Sequence, residues 1–153
     1  MPIDKSCDPW KGTSIRDIEE FLRAFTSGPD FDPTVVYRSI ECPCGSSRFR
    51  LERAGEVTRR TCVGCSRQDY ICRTFEDWDE AEYEQGIETF ACLQCQSSDA
   101  LIVVGFAAYD EIPWEEALKW YYVGTMCAAC GALNYFNDGK IANGPASEVF
   151  SRI

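Results

Sequence analysis

The sequence predicts a small α+β fold built as two tandem antiparallel β units, with an N-terminal helix and short connecting helices. Three observations carry that expectation. Eight of the ten cysteines fall into close pairs, Cys42/Cys44, Cys62/Cys65, Cys92/Cys95 and Cys127/Cys130. The pairs repeat: with Cys44 placed on Cys95, "CGSS" aligns with "CQSS", and "TCVGCSRQDYI" from Thr61 corresponds to "MCAACGALNYF" from Met126. The flanks "TVVYRSIEC", "RFRLE", "EVTRRTC" and "DYICR", then "GIETFAC", "ALIVVGFA", "WYYVGTMC" and "LNYF", are rich in β-branched and aromatic residues, several of them alternating. Disulfides rarely join such close neighbours, because the backbone between them is strained. Paired thiols at one- or two-residue gaps therefore point to metal, and the fold is expected to be metal-stabilised.

The 153 residues, 45% apolar, amount to one ordinary domain or two very small ones. "MPIDKSCDPWKGTSIRDIEE" lacks a basic start followed by an apolar run, and no segment approaches eighteen uninterrupted apolar residues. A soluble, cytoplasmic protein with no membrane association is expected.

In chain order, residues 1–34 form an N-terminal helical segment. There "SIRDIEEFLRAF" places Ile15, Ile18, Phe21, Leu22 and Phe25 on one stripe, with Ser14 and Asp17 as a capping box. Residues 35–74 form the first β unit. Residues 75–86 form an acidic connector helix, "FEDWDEAEYEQ", stopped by Gly86. Residues 87–142 form the second unit, whose longer interval holds an aromatic and acidic insertion near 108–121. In it Pro113 is suited to a first helical turn, and Trp114, Ala117, Leu118 and Tyr121 repeat at helical spacing. Residues 143–153 form a C-terminal tail.

Two thiolates two residues apart ligate one ion from a tight turn, and two such turns complete a four-sulfur site. The first unit offers Cys42, Cys44, Cys62 and Cys65, with 17 residues between the pairs; the second offers Cys92, Cys95, Cys127 and Cys130, with 31 between. Duplication of the whole unit favours sequential sites over a cross-braced arrangement. Each half resembles a zinc ribbon of the rubredoxin-like kind, with two cysteine knuckles at the ends of β-hairpins. That resemblance implies two bound Zn2+, with iron the less favoured occupant. "CPC" departs from the pattern, since one residue separates its sulfurs where two are expected; Cys72 is the nearest reserve thiol. Cys7 and Cys72, without close partners, read as small buried hydrophobes.

Charge sorts the function classes. The net charge of −10 is uneven: residues 36–73 carry eight arginines and a net of +4, while residues 74–89 carry seven acids and no base. With no histidine and no nucleotide-binding or hydrolase motif in the sequence, catalysis is not expected. The leading expectation is a protein-binding module, of inhibitor or adaptor type, for a partner with a basic surface. Its contact residues would be Asp77, Asp79, Glu80 and Glu84 of the connector with Trp114 and Tyr121 of the insertion. A nucleic-acid-associated ribbon, using the arginines, is the alternative, disfavoured by the overall charge. Rubredoxin-like electron transfer is the third class.

Overall fold

The β-branched and aromatic runs that flank the cysteine pairs all become strands. The computed structural model describes residues 3–6, 9–141 and 145–153. After helix α1 (Ile15–Phe25) come β1 (Thr34–Ser39), β2 (Phe49–Ala54), β3 (Val57–Cys62), β4 (Gln68–Ile71), helix α2 (Phe75–Gln85), β5 (Glu88–Thr89), β6 (Ala100–Ala108), β7 (Leu118–Cys127), β8 (Leu133–Lys140) and the short helix α3 (Ala146–Phe150). The expected C-terminal tail thus contains a helical turn, which buries Ala146 and Val149 against the main core.

The two units do not form separate sheets. All strands join in one sheet of order β4-β3-β2-β6-β7-β8, with β1 added to β6 and β5 added to β2. The halves meet where Phe49 of β2 pairs with Ala100 of β6. About that point the opening strands are exchanged. β1, from the first unit, runs antiparallel to β6 of the second, with Ser39 opposite Val103. β5, from the second unit, runs antiparallel to β2 of the first, with Thr89 opposite Glu52. The backbone bonds that close each exchange correspond: Ile40 N–H donates to the Ile102 carbonyl at 3.1 Å, and Phe90 N–H donates to the Leu51 carbonyl at 2.9 Å. Ile40 and Phe90 each stand two residues before a first cysteine, and Ile102 and Leu51 each stand seven residues after Cys95 and Cys44. An approximate two-fold relation therefore links the units, with each lending its first strand to the other.

The sheet curls so that the β2–β3 turn at Gly55 and Glu56 meets β7 and β8. Tyr121 Oη donates to the Glu56 carbonyl, and Asn137 Nδ2 donates to the Gly55 carbonyl at 3.2 Å and to Thr58 Oγ1 at 3.0 Å. Inside the curl lies the main core, including Phe49, Leu51, Ile71, Ile102, Val104, Phe106, Tyr121 and Val123. On the opposite face α1 presses Ile18 and Leu22, both fully buried, against β6 and β7. Its close approach requires glycine: a Cβ on Gly124 would stand 2.8 Å from Ile18 Cγ2 and from Leu22 Cγ. Asp17 Oδ2 accepts from the N–H groups of Thr13 and Ser14, at 2.7 and 3.1 Å, which fixes the helix start.

The insertion differs from its helical expectation. Only a turn forms there, with the Glu116 and Ala117 N–H groups donating to the Pro113 carbonyl at 3.0 and 3.3 Å, and β7 begins at Leu118. Trp114 lies in that turn and Ala117 just after it, while Leu118 and Tyr121 belong to a strand buried on both faces. Tyr121 lies opposite Phe106 and Gly139, and Tyr121, Tyr122 and Val123 are all within 2% of full burial. When both faces are covered, apolar residues run consecutively and periodicity loses its meaning.

Candidate metal centres

Each cysteine pair closes one strand-end turn, and three of the turns share one hydrogen-bond pattern. The N–H of the first cysteine donates to the carbonyl five residues on: Cys62 to Arg67, Cys92 to Ser97 and Cys127 to Ala132, each at 2.9 Å. Its carbonyl accepts from the N–H four residues on, from Ser66 at 2.9 Å, Gln96 at 2.8 Å and Gly131 at 2.9 Å. At Cys42 both bonds recur one residue nearer, to Ser46 and from Gly45, each at 2.8 Å. "CPC" is therefore the same turn with one residue removed. In all four turns the residue after the second cysteine is left-handed: Gly45 (φ +94°), Ser66 (+67°), Gln96 (+69°) and Gly131 (+79°).

These turns bring the eight thiols into two clusters, Cys42/Cys44/Cys62/Cys65 and Cys92/Cys95/Cys127/Cys130, with all sulfurs of a cluster within 4.8 Å of one another. The sites are sequential. Sγ–Sγ separations are 3.5 Å for Cys42–Cys65 and Cys44–Cys62, and 3.6 and 3.5 Å for Cys92–Cys130 and Cys95–Cys127. A tetrahedron with metal–sulfur arms of about 2.3 Å has edges of about 3.8 Å, so a four-coordinate thiophilic ion fits either cluster with small adjustment. The missing residue of "CPC" does not displace Cys44. In each pair the first cysteine is buried and the second is more exposed, so each centre has two sulfurs facing the core and two facing outward. Four thiolates leave a tetrahedral ion no open position, which is the arrangement of a structural centre.

The sulfurs also separate one another's acidities. Burial raises Cys62, but the Cys65 N–H and the Cys44 sulfur outweigh it and bring the thiol down to about 6. The Ser46 N–H favours the Cys44 thiolate, yet sharing protons with Cys62 and Cys42 pushes that thiol up to about 12. In the second cluster burial raises Cys92, but the N–H groups of Cys95 and Gln94 with the Cys130 sulfur bring it down to about 7. Cys62 and Cys92 are thus drawn towards ionisation near neutral pH, and an entering ion displaces protons that the clusters still hold.

The surroundings of the two centres differ. Arg60, 4% exposed, lies with its guanidinium 5.0 Å from the Phe49 ring centroid and 3.6 Å from Asp69. The corresponding pair in the second unit is Thr125 and Asn134, opposite each other in β7 and β8. Sequence reasoning missed this buried charge and the left-handed positions; the glycines following Cys44 and Cys130 were the available signal for the latter.

The other predicted site residues are dispersed. Asp79, Glu80 and Glu84 are exposed on α2. Asp77 is occupied in capping that helix: its Oδ2 accepts from Thr74 N–H at 3.1 Å while its own N–H donates to Thr74 Oγ1 at 3.2 Å. Trp114 is half-buried, 6.2 Å from Phe150. Tyr121 has no exposed surface to offer a partner, because β7 carries it into the core. Cys72 is not a reserve ligand: it follows Ile71, which faces Thr58, four residues and about 13 Å along β3 from Cys62. Cys7 lies outside the described residues. No described helix is long and apolar enough to cross a membrane. No family model, curated protein or solved structure matches the chain.

Proposed function

We propose that the chain is a non-catalytic protein-binding module of the zinc-ribbon kind, rigidified by two Zn2+, whose partner presents a basic surface to α2. The closed four-thiolate geometry and the absence of histidine from the sequence support a structural role for both ions. The observation that carries the partner is on α2. Glu76, Asp79, Glu80, Glu82 and Glu84 are exposed, and among the described residues none takes part in an ion pair. The neighbouring arginines pair elsewhere: Arg50 with Asp99, Arg53 with Glu88, Arg59 with Glu52, Arg67 with Asp69 and Arg73 with Glu56. Among the described residues these carboxylates thus make no direct ion pair with the basic segment, which supports a partner outside the chain. The net charge of −10 weighs against a nucleic-acid interface, because it repels a polyanion at long range.

The test compares the zinc-loaded parent with a variant carrying Asp79→Asn, Glu80→Gln, Glu82→Gln and Glu84→Gln, which leaves the Asp77 cap intact. Immobilised parent should retain a single basic protein from host extract in stoichiometric amount. The variant should bind that purified protein at least about tenfold more slowly at low salt, with the difference shrinking as ionic strength rises. Equal association by parent and variant would overturn the proposal. So would tight binding of the parent to nucleic-acid probes at physiological salt.

A further inference from the structure

Beside the first cysteine cluster lies a pocket of about 430 Å³, walled by Arg60, Arg67, Arg73 and Arg152 with the hydroxyls of Thr74 and Ser151. Four arginines line it in a chain whose net charge is −10, although the Arg73 guanidinium also donates outward, to the Lys140 carbonyl at 2.8 Å. Glu41, Asp69 and the last residue of the sequence, Ile153, also line it, and Asp69 Oδ2 is shared between Arg67 at 2.9 Å and Arg60 at 3.6 Å. Arg73 and Arg152 are held from outside the pocket by Glu56 and Glu148, through carboxylates that are half-exposed. Such pairs contribute little, and each guanidinium keeps further N–H donors for a ligand.

Arg60 is the most deeply buried of the four, near Asp69 and the Cys42 and Cys62 sulfurs of the adjacent cluster. It is buried, yet its Nε and Nη1 have no hydrogen-bond partner among the described residues, and Arg73 Nε shares that condition. A desolvated guanidinium without full pairing is costly, and a nearby multivalent anion relieves that cost electrostatically. Planar guanidiniums match the oxygens of a phosphate, which carries nearly two charges and three acceptor oxygens where a carboxylate carries one charge and two oxygens. The cavity is larger than a phosphate alone and falls within the range of small-molecule sites.

We propose that this arginine pocket binds a small phosphate-bearing molecule through its phosphate monoester group. The site does not include Asp79, Glu80, Glu82 or Glu84 of α2, although Thr74, the N-cap of that helix, is in its wall, and testing it needs no protein partner.

Isothermal titration of the zinc-loaded full chain with inorganic phosphate, glucose 6-phosphate and adenosine monophosphate tests this. At least one organic phosphate should bind more tightly than inorganic phosphate, showing that the carrier group is also accommodated. The double variant Arg67→Ala/Arg152→Ala removes two half-exposed side chains and should keep the fold while weakening binding at least about tenfold. Absence of binding by all three probes at about 10 mM would overturn the proposal, as would inorganic phosphate matching both organic probes or unchanged affinity in the double variant. Arg60→Gln separates the pocket from the metal centre. Loss of phosphate binding with zinc retained supports the proposal, whereas faster zinc release with phosphate binding unchanged assigns Arg60 to the thiolate cluster and contradicts it.

Discussion

Phe49 lies directly opposite Ala100 in the sheet, and each is the fifth residue after the second cysteine of its unit's first pair. The equivalence means that the duplicated units meet at the same point of their own structure. Their first strands cross that junction in opposite directions. Metal centre, hairpin and borrowed strand are therefore mechanically one object, although the sequence reads as two.

Native mass spectrometry of protein made without added metal should find two zinc ions per chain, one for each cluster, and Cys44→Ser and Cys95→Ser should each lose one. Four-thiolate zinc contributes on the order of 10 kcal/mol to folding, so chelation should unfold the chain. Because β1 and β5 are exchanged, losing either ion should lower one shared thermal transition. Two independent transitions in calorimetry, or metal loss from Cys72→Ser, would contradict this account.

Two glycines that share a backbone conformation should respond unequally to alanine. Gly45→Ala places a Cβ in open space and should cost about 1–2 kcal/mol from the left-handed backbone alone. At Gly131 the new Cβ would lie 2.5 Å from the Gly12 carbonyl oxygen, adding a clash with backbone that should bring the cost to about 3–4 kcal/mol. Denaturant titration of the zinc-loaded variants measures both, and equal losses would refute the distinction.

Alkaline pH should destabilise the fold before it strips the metal. Burial pushes Cys72 up to about 12 and moves the Tyr121 phenol upward too. In the unfolded chain these groups ionise near their ordinary values, about 8.5 and about 10. Above those values the unfolded state releases protons that the native state retains, so stability is complete below about pH 8 and declines as pH rises towards 12. Tyr121→Phe should remove the phenol's share of that decline. At neutral pH it should cost about 1–2 kcal/mol, because the Glu56 carbonyl loses its donor. Stability curves between pH 7 and 11 for parent and variant decide the matter.

Much of the molecule was legible because its signals are local. The bounds of α1 and α2 follow from an apolar stripe, capping residues and a terminal glycine, and both clusters follow from cysteine spacing. The strand exchange was not legible, since nothing within "TVVYRSIEC" distinguishes a partner in its own unit from one in the other. The insertion was misread because Trp114 to Tyr121 spans a turn and the start of a doubly covered strand, where helical spacing arises by coincidence. Arg60 and Arg59 are adjacent in β3 and face opposite sides; sequence alternation shows that they diverge but not which one is buried.

The exchanged strands also govern the order in which the chain becomes structured during synthesis. β1 finds its hydrogen-bonding partner only when β6 has left the ribosome, roughly 65–70 residues and about 3–14 s later at ordinary translation rates. Until then Thr34–Ser39 remains an unsatisfied strand edge, and the first cluster, complete at Cys65, can gather its ion before the sheet beneath it exists. Early metal capture would hold the nascent first hairpin together through the interval in which it is most exposed to aggregation.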